Sequence, residues 1–135
     1  MKKILLVTAG CATLLLGVAF AQDEHELGGV MKTIGGANGA VRKTVAAKDG
    51  NETAANAEKL AGAFEKVQAH FQEHHMDDGV KFAETAHHAS MNLAAAAKAG
   101  DWDKASDELK TLGAQCQGCH AAHREKLPDG SYKMK

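Results

Sequence analysis

The chain has 135 residues, 16 of them Lys or Arg and 17 Asp or Glu, so its formal net charge is −1 with neutral histidines. This length suits one compact domain rather than two. No Lys/Arg-rich block stands out, which excludes the electrostatic pattern of a nucleic-acid-binding protein and leaves no nucleic-acid partner to expect.

The N-terminal residues form a pattern typical of an export signal. Lys2 and Lys3 precede an apolar run over residues 4–18, and the small-residue cleavage consensus Ala19-Phe20-Ala21 follows. The run is shorter than the roughly 20 apolar residues that span a bilayer, which argues against a membrane anchor. Removal of this segment takes two of the 16 basic residues with it and leaves 14 against 17 acidic ones.

We therefore predict two regions, a signal peptide at residues 1–21, cleaved after Ala21, and a mature domain at residues 22–135 in the periplasm. The mature chain is expected to have no integral membrane span. A lipidated Cys11 is the alternative, but the apolar run continues past that residue, as in an uninterrupted signal core.

Two helices are predicted next, from apolar residues that recur every three or four positions. The first covers about residues 24–47, ends at the polar segment 48–51, and has an apolar stripe of Leu27, Met31, Ile34, Val41 and Val45. The second begins near Glu52, and its stripe consists of Leu60, Phe64, Val67 and Phe71. The polar residues 74–79 interrupt this pattern, so we expect a loop there.

The third and fourth helices complete the predicted fold. Residues 80–99 place Phe82, Ala86, Ala89 and Leu93 on one face, and Gly100 is a favoured helix terminator. Asp101 can cap the fourth helix, which ends at Pro128-Asp129-Gly130 and has an inward face of Ala105, Leu109, Leu112, Cys116, Cys119 and His123. Alanine-rich helices with short connections predict an all-α, antiparallel up-down-up-down four-helix bundle, in whose core a cofactor can sit.

The first helix contains an unusual number of glycines, namely Gly28, Gly29, Gly35, Gly36 and Gly39. Each costs an exposed helix about 1 kcal/mol relative to alanine. Close approach to a flat ligand explains them, and so does close helix–helix contact or a loosely formed helix. A bulky flat cofactor would also supply apolar volume to a core that has few aromatic residues.

The predicted fourth helix contains Cys116-Gln117-Gly118-Cys119-His120, the C-x-x-C-H pattern of covalent haem attachment. Helical spacing places both cysteines and the histidine within about one turn, so two thioether bonds can hold the porphyrin edge while the imidazole reaches the iron. We predict one covalent haem c, attached at Cys116 and Cys119, with His120 as the proximal iron ligand.

Two other classes of protein use similar residues. A structural zinc site is disfavoured because donors on one straight helix, here the motif and His123, cannot readily surround an ion. A dithiol redox protein normally places C-x-x-C after a strand, and no such strand is predicted. His70 and His74 are spaced i, i+4, which places both imidazoles on one helical face. The histidine cluster near His74 and His75 is interpreted as a polar loop, with a surface copper or zinc site as the alternative.

With its haem motif so close to the C-terminus, the chain resembles the class II c-type cytochromes, the cytochrome c-prime family. Arg124 matches the family's C-x-x-C-H-x-x-x-R extension, and Ala99-Gly100-Asp101-Trp102 resembles the A-G-D step that opens the family's last helix. The resemblance covers nearly the whole mature chain. It implies a haem-binding four-helix bundle, redox partner proteins, no enzymatic activity and a possible homodimer through the first two helices.

The resemblance also points to a second iron ligand. The family's distal position falls on Met31, in the segment Leu27–Lys32. Members with an apolar residue there have five-coordinate iron, whereas those with methionine are six-coordinate, low-spin electron carriers. We therefore expect a periplasmic electron-transfer cytochrome with Met31 as distal ligand. The alternatives are nitric oxide or carbon monoxide binding at a five-coordinate haem, and Met31 as an ordinary core residue.

One departure from the family concerns the haem propionates. Many members have Arg-Gln shortly before the distal position, where this chain has Leu27-Gly28. Lys32 or Arg42 could substitute, although a single surface cation is more often only solvated. The sequence leaves the propionate contacts open.

Overall fold

A computed structural model of the chain describes the backbone of residues 12–135 and the side chains from Glu26 onward. Residues 1–11 of the predicted signal peptide lie outside this part, and the predicted cleavage position after Ala21 falls within the first helix. None of the helices searched in the described part is long and apolar enough to cross a membrane.

The described chain forms four helices and two short strands. The helices are α1 (Ala12–Ala46), α2 (Gly50–Glu73), α3 (Asp77–Ala99) and α4 (Trp102–His123), followed by β1 (Arg124–Lys126) and β2 (Tyr132–Met134). Helices that are adjacent along the chain pack on each other, most extensively α2 with α3, whereas α1 and α4 make few contacts with each other. The predicted all-α four-helix bundle is confirmed.

The helix ends follow from local capping chemistry. The Asp49 carboxylate accepts a hydrogen bond of 3.0 Å from the backbone N–H of Glu52 at the start of α2. Gly100 ends α3 with a left-handed φ of 70°, which glycine adopts without strain. The Asp101 carboxylate then accepts a 3.0 Å bond from the N–H of Lys104. The predicted roles of Gly100 and Asp101 are both confirmed.

The connection between α2 and α3 is shorter than predicted, since only residues 74–76 leave the helical pattern. Asp77 and Asp78 belong to the first turn of α3, where negative side chains interact favourably with the positive end of the helix dipole. Gly79 is buried there, and a Cβ on it would lie 2.5 Å from Cδ1 of Phe71. These polar and glycine residues therefore begin a helix that passes close to α2.

The core consists of the predicted apolar stripes. Leu60, Val67 and Phe71 of α2 are almost fully buried, as are Val41 of α1 and Leu93 of α3. Much of the remaining core is alanine, which brings α2, α3 and α4 close together. Cys116 and Cys119 are partly buried and pack against this core, so the inward orientation predicted for them is observed.

The end of the chain differs from the sequence prediction. α4 ends at His123, and residues 124–134 form an antiparallel hairpin in which Arg124 pairs with Met134. Its turn is closed by Asp129, whose carboxylate accepts hydrogen bonds of 2.9 Å and 2.6 Å from the N–H and hydroxyl of Ser131. These bonds lower the pKa of Asp129. The Pro-Asp-Gly segment therefore reverses the chain rather than only ending a helix.

Candidate functional site

A cavity of about 520 Å³ lies between α1 and α4, which make few contacts with each other. This volume is typical of small-molecule and cofactor sites. We refer to it as the α1/α4 cavity. Residues of all four helices and the hairpin line it: Leu27, Gly28, Met31, Ile34, Gly35, Asn38, Phe64, Val67, Phe71, Phe82, Ala83, Ala86, Gln115, Cys116, Cys119, His120, His123, Arg124, Tyr132, Lys133 and Met134.

All four site residues predicted from the sequence line this cavity. Cys116, Cys119 and His120 come from α4, and Met31 comes from α1. Each of them is partly buried. The structure therefore brings the thioether of Met31 to the same cavity as the two thiols and the imidazole of the motif, which begins 85 positions later in the sequence.

Gly118 explains how α4 presents the motif. A Cβ at this position would lie 2.7 Å from Cε1 of Phe82 on α3. Real Cβ atoms do not approach that closely, so the glycine allows the α4 backbone to pass beside the Phe82 ring. With this face of the helix against α3, Cys116, Cys119 and His120 border the cavity.

On α1, Met31 shares one face with Leu27, Ile34 and Asn38, as residues three, four and seven positions apart do. Gly28 and Gly35 lie along the same face, and a Cβ at either would meet no atom within 4 Å. The other three glycines of this helix are equally open. Close contact with a described helix therefore does not explain the α1 glycines, of which Gly28 and Gly35 line the α1/α4 cavity.

The thiols of the motif are neutral at physiological pH. Burial raises the pKa of Cys116. Burial, with smaller contributions from Cys116 and Asp78, raises the pKa of Cys119 to about 11. Dithiol exchange depends on a thiolate at neutral pH, which electropositive sites provide by lowering the thiol pKa. The environment here acts in the opposite direction.

His120 has the protonation state that suits an iron ligand. Burial lowers its pKa, and the nearby positive charge of Arg124 lowers it further. The imidazole is therefore neutral at pH 7, and a neutral ring nitrogen has the lone pair that metals bind.

The charged side chains that line the cavity are Arg124 and Lys133, and no Asp or Glu among the described side chains lines it. Lys32 and Arg42, the two cations considered from the sequence, do not line it. Apolar walls with positive side chains at the border suit a largely apolar ligand that carries anionic groups.

Two buried polar atoms beside the cavity have no hydrogen-bond partner in the described chain, Oδ1 of Asn38 and Nε2 of His123. His123 is 7% exposed, and its Nε2 lies 3.1 Å from Oδ2 of Asp78 without hydrogen-bond alignment. Buried polar groups normally have partners. The spacing of α4 predicts His123 on the inward face, whereas nothing in the sequence predicts the position of Asn38, because a single polar residue on a helix carries no local signal of its surroundings.

Taken together, these residues fit a haem. The donor set comprises two thiols, a neutral imidazole and a thioether, the walls are mostly apolar, and the border is positive. By contrast, no group of three His, Cys, Asp or Glu side chains among the described residues could hold a bare metal ion. His70 and His74 have ring centroids 4.5 Å apart at the end of α2.

Comparison with known proteins yields no relative: no protein-family profile, no curated protein and no solved structure matches this chain. The chemistry of the α1/α4 cavity is therefore the basis for assigning a function.

Proposed function

We propose that this protein is a periplasmic electron-transfer cytochrome that carries one covalently attached haem c in the α1/α4 cavity. The observation that carries the proposal is that the C-x-x-C-H motif on α4 and Met31 on α1 line the same mostly apolar cavity, between two helices that scarcely touch. The resemblance of the motif and its surroundings to class II c-type cytochromes supports the same function.

The two cysteines attach the cofactor. Each thiol would add its sulfur and hydrogen across one vinyl C=C bond of a haem, giving a thioether without net oxidation or reduction. Both thiols are neutral at pH 7 because their pKa values are raised. Cys116 and Cys119 would thereby prevent the loss of haem from a protein that has few large core residues.

His120 and Met31 would hold the iron. The neutral imidazole of His120 and the thioether of Met31 would each donate a lone pair to it. When bound, the haem supplies an iron that alternates between the ferric and ferrous states. A thioether is a soft ligand that favours ferrous iron, so His/Met ligation raises the reduction potential.

The surrounding residues favour electron transfer over substrate conversion. Phe64, Val67 and Phe71 form a buried apolar wall of the cavity on α2. Met31 lies on α1, which packs on α2, and His120 lies on α4, which packs on α3. This packing would limit the movement of both side chains between oxidation states. In this proposal no substrate is transformed, and redox partner proteins exchange electrons with the cofactor.

The optical spectrum of the protein, purified from a host that matures c-type cytochromes, tests this function. We expect a red protein with a low-spin spectrum in both oxidation states and a ferric sulfur-to-iron band. A high-spin spectrum with rapid carbon monoxide binding would instead support the five-coordinate, gas-binding alternative. A colourless protein would contradict both haem functions.

A further inference from the structure

The hairpin of residues 124–134 contributes one of its faces to the α1/α4 cavity. Arg124 and Met134 are directly opposite each other, and Tyr132 lies two residues before Met134, so all three share a face. These three residues line the cavity. Lys133 also borders it, but belongs to the other face, where its ammonium lies 3.3 Å from the carboxylate of Glu125.

The guanidinium of Arg124 is held in place by an aromatic ring. Its Cζ lies 3.6 Å from the centroid of the Tyr132 ring, which is a close cation–π contact. No carboxylate of the described residues forms an ion pair with Arg124, and no acidic residue lines the cavity. A partly buried cation beside apolar walls is stabilised by an anion that satisfies its hydrogen bonds.

We propose that Arg124 binds a propionate carboxylate of the haem and that Tyr132 is a positioning residue that holds the guanidinium toward the cavity. This inference rests on the function proposed above. It assigns to the hairpin the propionate contacts for which the sequence offered only Lys32 and Arg42, neither of which borders the cavity.

The chemistry of the pair suits this role. A guanidinium stacks through its flat face, whereas its N–H groups point outward in its plane. With Tyr132 against the face, the N–H fork stays available to donate two hydrogen bonds to one carboxylate. Backbone bonds hold the hairpin to α4, since the N–H of Lys135 donates to the carbonyl of His123 at 2.9 Å.

Four variants of the haem-loaded protein test the inference: Arg124→Gln, Arg124→Lys, Tyr132→Leu and Tyr132→Phe. The readouts are the propionate bending modes in resonance Raman spectra and the pH dependence of the reduction potential. Lys126→Gln is the matched control, because it removes the same charge from an exposed residue of β1 that does not line the cavity.

Arg124→Gln is expected to shift one propionate mode and to raise the propionate pKa seen in the potential by about 1 to 3, since an adjacent opposite charge lowers a carboxyl pKa by that amount. Arg124→Lys should keep the charge, and with it most of the pH profile, but still shift the mode because the fork is lost. Tyr132→Leu should shift mode and pKa in the direction of Arg124→Gln by a smaller amount, and Tyr132→Phe should match the unmodified protein.

If Arg124→Gln and Lys126→Gln give the same spectra and pH profile, the propionate contact is wrong. If Arg124→Gln shows the shifts but Tyr132→Leu shows none, the positioning role of Tyr132 is wrong. Absence of covalent haem from the unmodified chain would instead overturn the proposed function itself. The failures of the two proposals are therefore distinguishable.

Discussion

At the scale of single residues, the proposed electron-transfer function, as opposed to gas binding, depends on Met31 as an iron ligand. Met31 and Met134 are both partly buried and both line the α1/α4 cavity, on α1 and on the hairpin respectively. They therefore form a matched pair for testing which thioether, if either, reaches the iron.

Met31→Ala is expected to remove the sixth ligand. The ferric spectrum should become high-spin, the sulfur-to-iron band should disappear, and carbon monoxide should bind to the ferrous protein. Met134→Ala should leave the low-spin spectrum unchanged. The assignment of Met31 is wrong if Met31→Ala stays low-spin with the sulfur band intact. Loss of the band in Met134→Ala would instead identify Met134 of the hairpin as the ligand.

The cysteines allow a test that depends on pH. In haem-free protein, the raised pKa of Cys119, about 11, reduces its thiolate fraction at every lower pH relative to free cysteine, whose pKa is about 8.5. We expect iodoacetamide to alkylate Cys119 at least tenfold more slowly than free cysteine at pH 7, with a rate that rises up to about pH 11. Mass spectrometry of the modified peptide measures this. Rapid alkylation that levels off below pH 8 would favour a dithiol redox function.

At the scale of helices and strands, the sequence correctly predicted the features that depend only on neighbouring residues in the chain. Gly100 and Asp101 mark the junction of α3 and α4 because a left-handed turn and an N-cap need only the adjacent backbone. The hairpin was not predicted, although Pro128-Asp129-Gly130 contains its turn signal. Whether a chain that leaves a helix returns alongside itself depends on contacts such as that between Arg124 and Tyr132.

The same division applies to the site. The C-x-x-C-H motif could be found from its spacing alone, and Met31 from the resemblance to a family. Asn38, Phe82 and Tyr132 border the cavity through tertiary packing, and no spacing rule within their own segments identifies them. The polar residues 74–79 predicted a longer loop than the structure has, because the role of Gly79 also depends on tertiary packing. Gly79 allows α3 to pack closely on Phe71.

The close approach of Gly118 on α4 to Phe82 on α3 can be tested by substitution. Gly118→Ala should place a Cβ against the Phe82 ring and lower the free energy of unfolding by about 1–3 kcal/mol, because overpacking outweighs the gain in helix propensity. Gly113→Ala is the control on the same helix, where the nearest atom is Nη2 of Arg42 at 3.5 Å. It should be neutral or stabilise the protein by up to about 1 kcal/mol. Urea unfolding measures both, and equal effects would contradict the proposed steric role of Gly118.

At the scale of the whole molecule, the bundle is incomplete on one side. α1 packs mainly on α2 and makes few contacts with α4, and the α1/α4 cavity lies between them. A haem attached to α4 and ligated by Met31 would join these two helices. It would therefore stabilise the position of α1 more than that of α2 or α3.

Hydrogen exchange can test this consequence. In the haem-free double variant Cys116→Ala/Cys119→Ala, we expect the backbone amides of residues 27–41 to exchange faster than in the haem-loaded protein, because α1 loses its connection to α4. The amides of α3 between Ala83 and Ala97 should change less, since α3 packs directly on both α2 and α4. Equal changes in α1 and α3 would show that the cofactor does not join α1 to α4.

Covalent attachment of haem is tested most directly by the intact mass of the protein, measured under denaturing conditions after production with the cytochrome maturation machinery. We predict the mass of the mature chain plus one haem, with the added mass on the peptide that contains Cys116 and Cys119, and no added mass in Cys116→Ala/Cys119→Ala. An unmodified mass for the original chain, or haem that leaves it on unfolding, would contradict the account.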